Sequence, residues 1–550
     1  GDSIQDDMDD DGDVDADDMD RVILICGERK GGTSYFALDV SYPSSPIYLW
    51  RISQYWDHMA GTLELTSVNG TWLDDDFADH YPSDDPLVPP FDAWVQVNGT
   101  PVGNVLRYDV RSWPASMDSY VGERVFAYRA TSCPTCYGDN VYGTIVSVSE
   151  DAPYSAPPTF VAPQLGETWS EPQFGLVKTS DADTTGTPVF FVGGGYSSDN
   201  SKGKAVFVIN VETAALVRIF SGITGMNYSF PSAVAVLDTD SNGFVDKLYI
   251  GDAGGQMWRI GKFTDAFGNP LNFPDADENI NNWTAQLLFR PECGEINCTD
   301  GADNDGDGEI DESGPLCGEA DCTNGVDDDL DGKTDETNMR RFFYPPEVTL
   351  EQDYDLVFAG IGDREDACVS ATSDRIYAIK DTHTATTLSE EDLVDVTNEA
   401  ATPPDLNDAT GDVDSNGFTD QGWYIKLEPG EKVLAEGTVF YKAFYVTTFT
   451  PNNEPCVPGG DARIYALNYL TGAAVLDFDN SGTPSRSNEI GGGIPSKPVT
   501  VITPEGATLL ISVGSTSPDA ASLSVEAGIV TQKPMEPPAN FFYLWWREVF

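Results

Sequence analysis

The chain has 550 residues and a formal charge of −61, from 30 basic and 91 acidic side chains. That balance excludes a nucleic-acid binder, which needs a basic surface to displace counterions from phosphate, and it argues against an anionic membrane surface as partner. Residues that are 40% hydrophobic and 11% aromatic supply enough apolar material for a core, so the acidity is not that of a disordered tail.

Taken in chain order, the predicted elements are short strands. Runs rich in Val, Ile, Phe and Tyr are punctuated by Gly, Asp, Asn and Pro. They include Arg21-Val-Ile-Leu-Ile-Cys26, Val189-Phe-Phe-Val192, Ala205-Val-Phe-Val-Ile209, Asp355-Leu-Val-Phe-Ala359, Ala443-Phe-Tyr-Val-Thr447 and Thr508-Leu-Leu-Ile-Ser-Val513. No long amphipathic helix is read, and no apolar run approaches the roughly 20 residues of a membrane span. A blade-like unit recurs. Gly31 to Asp39 leads to Leu49-Trp50-Arg51-Ile52, and Leu248 to Gly255 leads to Met257-Trp258-Arg259-Ile260. Asp374-Arg-Ile-Tyr-Ala-Ile379 and Asp461-Ala-Arg-Ile-Tyr-Ala-Leu467 repeat the middle strand. Periodic Gly and aromatic punctuation of this kind predicts an all-β fold, a modified β-propeller, with a β-sandwich array as the alternative.

Two stretches break the repeat. Residues 54–164 read as an inserted small β domain, and 291–338 as a tandem Cys/Asp calcium-binding repeat. The expected organisation is an acidic calcium loop with an early blade over 1–53, the insertion at 54–164, and blades with a central calcium loop over 165–290. The tandem repeat at 291–338 follows, and then the remaining blades with a closing strand over 339–550. The start Gly1-Asp2-Ser3 shows no signal peptide and reads as a processed or cloned end. Nine cysteines, with Cys293/Cys298 matched by Cys317/Cys322, point to disulfides and an oxidising compartment. Cys133-Pro-Thr-Cys136 reads as a local bridge rather than a redox motif, and four pairs would leave Cys26 over. With only His58, His80 and His383, zinc, haem and histidine acid–base chemistry are not expected.

One pattern carries chemistry: Asp-x-Asp-x-(Asp or Asn)-Gly-x-x-Asp. Calcium takes six to eight hard oxygens in flexible geometry, which alternating acidic residues and a sharp glycine turn provide. The clearest copies offer Asp238, Asp240, Asn242, the Phe244 carbonyl and Asp246, and Asp412, Asp414, Asn416, the Phe418 carbonyl and Asp420. The tandem repeat offers Asp303, Asp305, Asp307, Glu309 and Asp311, then Asp327, Asp329, Asp331, Lys333 and Asp335. A fifth copy near the start comprises Asp7, Asp9, Asp11, Asp13 and Asp15. The bidentate Glu of an EF-hand is missing, replaced by Tyr249, Trp423, Gly314, Asn338 or Asp18, and strands rather than helices flank the loops. These are read as static calcium loops, not opening sensors. A shorter string, Asp477-Phe-Asp479-Asn-Ser481-Gly482, lacks the closing Asp and is set aside.

The string "DTDSNGFVDKLYIGDAGGQMWRI" over 238–260 resembles the calcium loop and following blade of PilY-type type IV pilus adhesins. "GERKGGTSYFALDV" with "LWRI", "LGETWSEP", "VFFVGGGY", "RRFFYPPEVTL", "GWYIKLEPGEKV", "TTFTPNNEPC" with "GGDARIYALNYLTG", and "LWWREVF" continue the likeness in order. The resemblance implies a C-terminal propeller of a non-enzymatic, secreted protein at the pilus tip. It implies calcium as cofactor, with Asp238, Asp240, Asn242 and Asp246 as the carried-over site, and a role in pilus assembly, adhesion and control of retraction. Its implied partners are minor pilins at the filament tip and a host or abiotic surface ligand. The family's N-terminal half and first-blade block have no counterpart here, and no Arg-Gly-Asp tripeptide occurs. Two alternatives stand: a secreted calcium-dependent adhesin unrelated to pili, and a quinoprotein dehydrogenase, against which the lack of a vicinal Cys-Cys pair counts.

Overall fold

The computed structural model describes residues 22–54, 160–263, 277–291, 341–351, 353–368, 374–384, 386–399, 420–452, 459–478, 481–503, 506–516 and 529–534. It also describes isolated residues near 404, the strand 524–526, and the backbone of five strands between 56 and 150. Two compact units are distinguished. One holds residues 1–26, 33–165 and 212–215, the other 27–32, 166–211 and 216–550.

The architecture is all-β, as read from the sequence. In the second unit, sheet follows sheet along the chain. Strands Gln173–Val177, Thr187–Gly193, Ala205–Asn210 and Leu216–Ser221 form one antiparallel blade, and Ala235–Leu237, Lys247–Gly251, Met257–Gly261 and Thr284–Phe289 the next. A third is built on Glu347–Leu350, Asp355–Gly360, Arg375–Asp381 and Gly422–Lys426, with Val394–Asp395 added in parallel to the last. A fourth centres on Ala443–Pro451 and Gly460–Asn468, and a fifth on Val499–Thr503, Gly506–Ser512 and Ile529–Gln532. None of these sheets closes on itself, and their succession is that of propeller blades. In the first unit, Ser34–Asp39 and Ile47–Ser53 pair antiparallel, with Phe160–Val161 parallel to the latter. The interval between them carries a separate five-stranded sheet in the order Ala93–Gln96, Arg124–Ala130, Tyr137–Glu150, Trp56–Leu65, Val105–Trp113.

The unbroken apolar runs have a simple cause. A strand alternates its side chains between two faces, and an inner blade is covered on both. In Lys247–Gly251, Leu248 and Ile250 pack with Val189, Phe191, Val206 and Val208 of the preceding blade. Tyr249 points the other way, among Val357, Ala359, Tyr377 and Ile379 of the following one. Each fully buried large side chain of this kind contributes about 1.5–3 kcal/mol. Close approach dictates the glycine in the turn Asp252-Ala-Gly-Gly-Gln256: a Cβ on Gly254 would lie 2.2 Å from the Tyr228 ring.

Among the described residues Cys26 and Cys368 both carry free thiols. That is one more than a four-bridge count leaves over. The other seven cysteines lie outside the described residues.

Candidate metal centre

The loop Asp238–Asp246 joins Ala235–Leu237 to Lys247–Gly251. Its turn is set by Asp238, whose Oδ1 accepts from Asn242 N at 3.0 Å and whose Oδ2 accepts from Gly243 N at 2.8 Å. Gly243 has φ +94°, a conformation glycine adopts without steric cost. At the far end Asp246 is buried, 4% exposed. Its Oδ2 accepts from both the amide and hydroxyl of Thr239 at 2.8 Å, while Oδ1 has no hydrogen-bond partner.

Asp238, Asp240 and Asp246 each turn one oxygen to a common point, all three within 4.8 Å of one another. Asn242 adjoins them, its Nδ2 donating to Asp240 Oδ2 at 2.9 Å and to Glu278 Oε1 at 2.5 Å. Its Oδ1 accepts from Phe244 N at 2.9 Å. Phe244 is in the loop, with its ring 4.5 Å from the Lys178 ammonium. Burial pushes the Asp246 carboxyl up to about 6, although the Thr239 hydrogen bonds and Lys247 oppose it. Burial also raises Asp240, helped by its neighbour Asp238.

Glu278 escapes sequence reasoning because it lies 36 residues beyond Asn242 and outside the motif. It brings the carboxylates to four. Lys178 lies 3.7 Å from Glu278, while Lys247, next to Asp246, is engaged by Asp355. A buried Asp246 with an orphaned oxygen, half-buried Asp238 and Glu278 and an exposed Asp240 together fit a divalent hard cation. Calcium bound there would supply two positive charges and hold Asp246 ionised.

Of the other expected ligands, Asp420 is buried, 3% exposed, with φ +50°. Asp412, Asp414, Asn416 and Phe418 of its loop lie outside the described residues. So do the sets Asp303, Asp305, Asp307, Glu309, Asp311; Asp327, Asp329, Asp331, Lys333, Asp335; and Asp7, Asp9, Asp11, Asp13, Asp15.

A second group, Asp355, Asp381 and His383, also converges within 4.8 Å, and sequence reasoning missed it. Here the space is already taken by protein cations. Lys247 Nζ lies 2.5 Å from Asp355 Oδ2 and 2.9 Å from His383 Nε2. Tyr249 donates its hydroxyl to Asp355 Oδ2 and Asp381 Oδ2, each at 2.7 Å. Arg259 pairs with Asp381 and donates to Gln286 Oε1 at 2.8 Å. Burial pushes the Asp355 carboxyl up, but the His383 hydrogen bond and the Lys247 charge outweigh it and leave its pKa below the ordinary value. Asp355 Oδ1 is without a partner, yet two carboxylates already face two cations. A dication would overcharge this group, so it is an ionic lock joining two blades rather than a metal centre. A signal was present in the sequence: Lys247 and Arg259 are charges embedded in otherwise apolar strands.

The PilY1 beta-propeller domain family model matches residues 146–291, which include the 238–246 loop. The chain is 23% identical over 373 residues to the type IV pilus biogenesis factor PilY1 of Pseudomonas aeruginosa (strain UCBPP-PA14), covering 60% of this chain and 29% of that protein. To the PilY1 homolog of Xylella fastidiosa (strain Temecula1) it is 28% identical over 173 residues, 27% of this chain and 10% of that one. The chain thus spans less than a third of these relatives' length. Among solved structures, the Pseudomonas aeruginosa PilY1 C-terminal domain aligns with a TM-score of 0.46 at 16% identity, over 91% of this chain and 84% of that one. The quinohemoprotein alcohol dehydrogenase of Comamonas testosteroni aligns at 0.25, with 14% identity over 64% and 44%. An all-β propeller fold, a family-model match over residues 146–291 and curated relatives of one kind make the chain similar to PilY1-type proteins.

Proposed function

We propose that this chain is the propeller portion of a type IV pilus biogenesis factor, displayed at the cell surface on the pilus tip, where minor pilins and a surface ligand are its partners. We further propose that Asp238, Asp240, Asp246 and Glu278 hold a calcium ion with Asn242 and the Phe244 carbonyl. The four acidic loops beyond them are assigned the same role by spacing alone. The observation that carries the calcium reading is the convergence of Asp238, Asp240 and Asp246, the last with an unpartnered oxygen. Supporting the pilus reading are the names of the relatives. The role is structural and binding, with no catalytic step assigned.

The chain's own residues set what the ion does. Asp246 is followed by Lys247, anchored in the ionic lock, so the loop's far end is fixed. Its near end at Asp238 and Asp240 is held only within the loop, by backbone amides and the Asn242 side chain. Without a cation, carboxylate repulsion acts on that near end and opens it locally. Such opening would expose or withdraw a surface that pilus components read.

Calcium at about 100 times its Kd is expected to stabilise the protein by about 2.7 kcal/mol per site. Thermal melts in calcium and in chelator measure this. Asp246→Asn keeps an acceptor for Thr239 but removes the ligand charge, and should cancel most of this loop's share. If calcium raises the melting temperature of parent and variant equally, the ion is held elsewhere. A tagged chain absent from the sheared pilus fraction of a piliated host would refute the pilus assignment independently.

A further inference from the structure

Segments flanking all five sheets of the second unit line one cavity of about 550 Å³, the size of a small-molecule site. Three cations, Arg29, Arg364 and Lys497, reach it in a chain where acids outnumber bases threefold. Two carboxylates, Glu171 and Glu436, also line it, and Glu436 is engaged by Lys497. Glu171 is exposed. Among the described residues neither Arg29 nor Arg364 has a carboxylate partner. The carboxylates flanking Arg364 are taken by other cations: Glu365 pairs with Lys30, and Asp363 with Arg341.

Both guanidinium groups lie by Tyr344, whose hydroxyl Arg364 hydrogen-bonds. Burial raises the pKa of the Tyr344 hydroxyl, and the charges of Arg364 and Arg29 both draw it back. The rest of the wall is aromatic. The Arg29 guanidinium lies 5.9 Å from the Trp169 ring centroid, and Trp169 meets Phe343 edge-on at 5.7 Å. Arg29 is held with φ +51°, and its amide donates to Thr168 Oγ1 at 3.2 Å. A non-glycine residue in that region is strained, and the fold keeps it there.

Arginine forks bind carboxylates in bidentate fashion, and aromatic faces take flat rings. We propose that this cavity binds a carboxylate borne on a six-membered ring, with Arg364 and Arg29 gripping the carboxylate and Trp169 and Phe343 against the ring. Two sources share that chemistry, an acidic sugar unit of a surface polysaccharide and an aromatic acid.

Calorimetric titration of the full chain with glucuronate, with 4-hydroxybenzoate and with glucose tests this. One of the two acids should bind and glucose should not, and the acid that binds identifies the source. Arg364→Gln and Arg29→Gln should each weaken binding about tenfold or more, and Arg364→Lys should restore only part of it. Unchanged thermal melts would show that the variants fold. Absence of binding by either acid up to about 10 mM overturns the proposal, as does equal binding of glucose or affinity indifferent to both arginine changes. Chelator should leave this binding intact, which separates it from the calcium loop.

Discussion

Replacing Lys247 with methionine is expected to lower the unfolding free energy by about 3–5 kcal/mol, because it leaves a buried carboxylate without its cation. Asp355 is fully buried and Lys247 is 8% exposed, so solvent cannot take over the missing charge. The aliphatic stem is conserved in length, and what is lost is the ammonium at 2.5 Å from Asp355 and 2.9 Å from His383. Two blades are tied by this group. Lys247, Tyr249 and Arg259 belong to the strands 247–261, and Asp355 and Asp381 to the strands 355–381. His383, held at φ +58° with its amide donating to Asp381 Oδ1 at 2.8 Å, closes it. Adding Asp355→Asn to Lys247→Met should recover more than half of the loss, since the unpaired charge then disappears while an acceptor for Tyr249 remains. Chemical denaturation at constant m-value reads both. A loss below about 1 kcal/mol for the single variant would reduce the lock to the worth of an exposed ion pair.

What the sequence told and did not tell follows from range. The strands were legible because a blade buried on both faces writes an unbroken apolar run: Val189, Phe190, Phe191 and Val192 are all fully buried inside Thr187–Gly193. The candidate metal loop was legible because its three aspartates lie within nine positions. The lock was not, because its pairs bridge 108 residues from Lys247 to Asp355 and 122 from Arg259 to Asp381. Scarce histidine speaks only to zinc, haem and acid–base chemistry, and His383 completes a buried network instead.

The loop set aside as degenerate is instructive in the same way. Asp477 accepts from Ser481 N at 3.0 Å and from Gly482 N at 2.7 Å, the bonds Asp238 makes to Asn242 and Gly243. The first Asp and the Gly therefore specify the turn, with or without a cation. What sets the 238 loop apart is its ninth residue, Asp246, buried with one oxygen unspent.

Trp258→Ala is expected to cost about 3–5 kcal/mol, the range for removing a large aromatic from a close-packed core. Trp258 is fully buried and packs near Phe230, ring centroids 6.3 Å apart. Its indole N–H also donates to Asp252 Oδ2 at 2.9 Å, while Asp252 Oδ1 accepts from Gly254 N and Gln256 N, each at 2.9 Å. Trp258→Phe separates the two contributions, keeping much of the volume and removing the donor. Burial pushes the Asp252 carboxyl from its ordinary 3.8 up to about 7. The folded state therefore binds a proton more tightly than the unfolded one. The stabilisation this gives is complete below about pH 4 and is lost as pH rises through about 7. Without the indole N–H the ionised form loses a donor and the folded pKa rises further. Trp258→Phe should accordingly be more destabilised, relative to the parent, at pH 8 than at pH 5, where Asp252 is protonated in both folded proteins. A deficit independent of pH would mean that the indole fills space at this position and does not stabilise the carboxylate.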